Sequence, residues 1–99
     1  MSVNKSIKSL KANFTMDKYF EVRDELKANH RRALDELDAE YQQTFMDISN
    51  IDELSIKAME RLLEHLNAIH DKFFKKINKK YNKLSHKLDK IYYEYKIKN

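Results

Sequence analysis

The chain contains no glycine, no proline, no cysteine and no tryptophan in its 99 residues. Without glycine and proline it lacks the residues that shape tight turns and bulges, so a β-rich fold of this length, which needs several such turns, is excluded. Without glycine there is also no phosphate-cradling loop of the nucleotide-binding kind. Without cysteine there is neither a disulfide framework nor a thiolate metal site. No apolar run approaches the roughly 18 residues of a membrane span. The opening MSVNKSIKSLKANF never places two apolar residues side by side, so no signal-peptide core is expected there. A cytoplasmic protein follows as the expectation, in the host cytoplasm if the chain is viral. Its 16 lysines and 8 asparagines fit an AT-rich coding sequence such as that of a phage or low-GC bacterium.

What remains is rich in Leu, Lys, Glu, Ala and Met, with 36% charged and 41% hydrophobic residues. These favour helix, and the apolar content is too high for a disordered coil. Apolar residues recur at helical spacing through Tyr19, Val22, Leu26, His30, Ala33, Leu37, Tyr41, Phe45 and Ile48. They resume through Ile51, Leu54, Ala58, Leu62, Leu66, Ile69, Phe73, Ile77, Tyr81, Leu84, Leu88, Ile91 and Tyr95. The second series averages about 3.7 residues per step, closer to an 11-residue repeat than to a heptad.

The place to turn is DISNIDELS, Asp47 to Ser55, where Ser49 with Asp52 and Asn50 with Glu53 have capping-box spacing. The expectation is therefore all-α: an antiparallel, coiled-coil-like hairpin of two long helices preceded by a short basic arm. The arm covers residues 1–14, and the hairpin domain residues 15–99. Its helices run from about 17 to 48 and from about 52 to 96, with the turn at about 49–51. Thr15 or Asp17 caps the first helix. Ile7, Leu10 and Phe14 of the arm also recur at helical spacing, which fits a short third helix over the end of the second long helix, and a segment disordered until something binds it fits equally. A rival architecture is one unbroken helix of about 80 residues paired with another chain, because the stripe passes from Ile48 to Leu54 in phase.

Charge is unevenly placed. Residues 1–14 carry +3, residues 15–70 carry −6, and residues 71–99 carry +7. Folding at Ser49–Asp52 makes residues whose numbers sum to about 101 face one another. Asp17, Glu21, Asp24 and Glu25 then lie near Lys76, Lys79, Lys80 and Lys83, so the basic tail reads first as the complement of the acidic helix. Left over for a polyanion or another partner are Lys75, Lys79, Lys87, Lys90, Lys96, Lys98, Tyr92 and Tyr93, with Lys5, Lys8 and Lys11 of the arm. Neutralising phosphates with such lysines releases counterions and makes binding salt-dependent.

A second apolar stripe, Ile56, Met59, Leu63, His70 and Phe74, flanks the first. Two helices alone cannot cover both, so an oligomer interface is expected there, in a homodimeric four-helix bundle. The four histidines, His30, His65, His70 and His86, form no metal-ligand motif, and no catalytic or cofactor-binding residues stand out. The functional expectation is a non-enzymatic helical binding protein acting on a protein partner, as a regulator, inhibitor or adaptor. No small-molecule substrate, cofactor or membrane is implied. The alternatives are a nucleic-acid-binding protein using the basic C-terminal helix and the arm, and a structural coiled-coil assembly protein.

Overall fold

The computed structural model describes residues 2–98 and contains three helices: α1 (Val3–Ala12), α2 (Met16–Ser49) and α3 (Ile56–Lys98). Each start has its own cap. The Ser2 hydroxyl accepts from the Lys5 amide at 3.3 Å, and the Thr15 hydroxyl from Lys18 at 3.1 Å. The Ser55 hydroxyl accepts from Ala58 at 3.1 Å. The arm is thus a formed helix, and the chain turns over residues 50–55, so the unbroken helix is ruled out.

The turn lies later than the sequence suggests, and the reason is local. Ser49 does not cap the following helix. Its hydroxyl donates back to the Phe45 carbonyl at 2.8 Å and finishes α2. The Asn50 amide reaches the Met46 carbonyl at 3.0 Å, so the helical path persists to that point. Ser55 then takes the cap of α3 in place of Ser49, Asn50 or Asp52.

The chain divides into two units. Met1–Arg31 with Asn78–Asn99 make the first, where α1 joins the opening of α2 and the end of α3. Its core is Val3, Ile7 and Leu10 of α1, Tyr19, Val22 and Leu26 of α2, and Leu84 and Leu88 of α3. Leu10 and Leu88 are the most enclosed, at 1% and 2% exposure. Burying side chains of this size is worth roughly 1.5–3 kcal/mol each. Rings close the end of this core: Phe14 stacks on Tyr95 at 4.1 Å, and Tyr92 lies 4.9 Å from Tyr19. The Ser6 hydroxyl donates to Glu25 across α1 and α2 at 3.1 Å.

Arg32–Ile77 make the second unit, an antiparallel pair formed by the rest of α2 and the start of α3. It has no third helix. Ile48 is its one buried apolar side chain, while Leu37, Tyr41, Leu63, Leu66, His70 and Ile77 are half-buried.

The pairing of α2 with α3 departs from expectation in register. In the first unit His30 meets Asn78 and Tyr81. In the second, Tyr41 meets Asn67 and His70, and Asp38 meets His70. The numbers of facing residues sum to between 108 and 111. The later turn accounts for the shift. Asp17, Glu21, Asp24 and Glu25 therefore do not meet Lys76, Lys79, Lys80 and Lys83, and no such ion pair forms among the described residues.

Candidate interaction surfaces

The register shift changes what the basic helix can do. Among the described residues the one lysine in an ion pair is Lys75, 3.0 Å from Asp71 on its own helix. In the first unit 14 basic side chains stand against 6 acidic ones, a net charge of +8. The second unit holds 6 against 10, a net charge of −4.

Lys8 and Lys11 of α1 and Lys87 and Lys90 of α3 line one open cleft of about 310 Å³, together with Asn4, Ile7, Ile91 and Glu94. Four cations thus surround a single carboxylate. A smaller cleft of about 150 Å³ shares Lys11, Ile91 and Glu94 and adds Phe14, Tyr95 and Lys98. The other flank of α1 differs in sign, with Glu21 and Glu25 of α2 beside Ser6, Ser9 and Lys18.

The remaining basic and aromatic candidates are dispersed. Lys5 and Lys79 are exposed. Lys96 lies 5.9 Å from the centre of the Tyr92 ring, and Tyr92 is half-buried against Tyr19. Tyr93 is exposed.

The apolar candidates divide by exposure. His70 faces α2: its Nε2 donates to Asp38 at 3.2 Å and its ring meets Tyr41 edge-on at 5.0 Å. Met59 and Leu63 are half-buried, and Ile56 and Phe74 are exposed, with Phe74 stacked on His70 at 6.3 Å. In return Leu62, Ile69 and Phe73, expected in the seam, are exposed at 38%, 40% and 46%. The helix contact keeps Leu66 of the expected seam and takes Leu63 and His70 from the flanking stripe. By helical spacing Leu62, Ile69 and Phe73 form one strip. By the same spacing Glu36, Glu40 and Asp47, all exposed, fall on the flank of α2 turned away from Asp38, which meets His70, and Lys72 and Lys76 border the strip on α3.

Among the described residues no three His, Asp or Glu side chains stand close enough to hold a metal ion. No described helix is long and apolar enough to cross a membrane. Comparison with models of known families, with curated proteins and with solved structures found no match.

Proposed function

We propose that this chain is a non-enzymatic helical binding protein that works through protein–protein contact, and that its first partner is a second copy of itself. The observation that carries this reading is the strip of Leu62, Ile69 and Phe73, left exposed where the fold supplies only two helices. Covering side chains of that size is worth on the order of 1.5–3 kcal/mol apiece when burial is complete.

Charge favours a second copy as the occupant. The strip has an acidic border, Glu36, Glu40 and Asp47, and a basic border, Lys72 and Lys76. A two-fold pairing sets the acidic border of one copy over the basic border of the other and buries both strips at once. The product is a four-helix bundle made by the second unit of each chain. A regulatory or adaptor role then rests on the surfaces this assembly leaves outside.

Size-exclusion chromatography with light scattering tests the reading, using the wild-type chain and the Leu62→Glu/Phe73→Glu variant. Dimer for the first and helical monomer for the second is the expected pair of results. A wild-type chain that stays monomeric at high micromolar concentration removes the proposal.

A further inference from the structure

We infer that the first unit carries a binding track for the phosphodiester backbone of nucleic acid, formed by Lys80, Lys83, Lys87 and Lys90 of α3 with Lys8 and Lys11 of α1. The four α3 lysines recur at three- and four-residue steps, which places them on one face of that helix. Lys87 and Lys90 meet Lys8 and Lys11 around the 310 Å³ cleft, so two helices contribute to a single basic surface. All six are exposed, and none forms an ion pair with a described residue. From Lys80 to Lys98, which lines the adjoining cleft, the row extends roughly 27 Å along the helix at 1.5 Å per residue. That length matches about eight steps of a duplex at 3.4 Å per step.

Six like charges concentrated on one surface repel one another and gain nothing for the fold. A regular polyanion removes that repulsion and releases counterions as it binds. The apolar residues of α1, Val3, Ile7 and Leu10, are turned into the core. Of the apolar side chains that line the basic cleft, Ile7 is buried and Ile91 half-buried, so this surface offers little to sink into a lipid layer or to anchor a docked peptide helix. Of the two tyrosines left over in the sequence, Tyr92 packs on Tyr19, and Tyr93, although exposed, lines neither basic cleft. Binding thus reads backbone charge rather than bases, and a duplex, with its higher charge density, binds more tightly than a single strand.

The experiment is fluorescence anisotropy with a short mixed-sequence DNA duplex, the matching single strand, and vesicles containing phosphatidylserine. Duplex affinity is expected to fall about 10²–10³-fold between about 50 and 200 mM salt, as for four to six neutralised phosphates. Lys87→Gln with Lys90→Gln is expected to make the log–log salt slope shallower by about two. Lys57→Gln with Lys75→Gln, in the second unit, leaves the slope unchanged. Circular dichroism confirms that both variants keep the wild-type helix content. Absence of duplex binding at about 50 mM salt, equal weakening by the two double variants, or binding to vesicles but not to duplex would overturn the inference.

Discussion

His30 and Asn78, 48 positions apart in the chain, meet side chain to side chain, with His30 Nε2 donating to Asn78 Oδ1 at 2.7 Å. The same imidazole stacks on Tyr81 with ring centres 4.1 Å apart. A polar pair between two helices works in one register only, because a slip of one turn leaves both groups without a partner. This pair therefore specifies the alignment of α2 with α3 more than it adds stability. Asn78→Ala should cost about 1–2 kcal/mol in chemical denaturation, since it strands a half-buried imidazole nitrogen. A double-mutant cycle with His30→Ala should show a coupling of about 0.5–1.5 kcal/mol. Additive effects would place the register determinant elsewhere.

Burial in the first unit sets a second expectation. Leu10→Ala or Leu88→Ala opens a cavity at a site with 1% or 2% exposure and should cost about 2–5 kcal/mol. Ile56→Ala, at 79% exposure in the first turn of α3, should change stability by less than about 0.5 kcal/mol. Thermal denaturation of the three variants separates the cases.

The cap at Ser55 accounts for where the chain turns. Ser55→Ala removes the acceptor of the Ala58 amide and should cost about 1 kcal/mol, whereas Ser55→Asp should hold wild-type stability. Ser49→Ala removes only a bond back to the Phe45 carbonyl and should be close to neutral. A larger loss from Ser49→Ala than from Ser55→Ala would return the turn to the earlier position.

Local stability should follow the division into units. Eight buried apolar side chains form the core of the first unit, and Ile48 is alone in the second. Hydrogen exchange measured on the Leu62→Glu/Phe73→Glu variant should therefore be faster at the amides of residues 32–77 than at the core positions of α1 and at Leu84 and Leu88. Equal protection throughout would mean that the second unit is held by more than the α2–α3 contact.

The two long helices were legible from the apolar periodicity and from the missing glycine and proline. Ile7, Leu10 and Phe14 left the arm open between a short helix and a disordered segment, because ten residues hold a helix only against the core they pack on. Register was not legible. Ser49, Asn50, Asp52 and Ser55 all lie within seven residues, each chemically able to cap, and the choice among them moves every facing pair. The phase of the contact face in the second unit was hidden for a related reason. Leu62 with Leu63, Ile69 with His70, and Phe73 with Phe74 put packing side chains in adjacent positions, so two stripes fit equally well. The packing partner decides between them. The lysines of α3 are recognisable as a set in the sequence, but which acidic residues face them depends on the register, and the later turn moves Asp17, Glu21, Asp24 and Glu25 away from them. Their convergence with Lys8 and Lys11 depends on how α1 lies against α3, which periodicity does not encode.

The proposed pairing of two copies of this chain through the strip left open on the second unit sets the mass of the particle in solution. Light scattering on the eluting peak measures that directly. The expected mass is twice 12.0 kDa for the wild-type chain, and 12.0 kDa with unchanged helicity for the Leu62→Glu/Phe73→Glu variant. A monomeric wild-type chain, or a dimer that survives both substitutions, would contradict it.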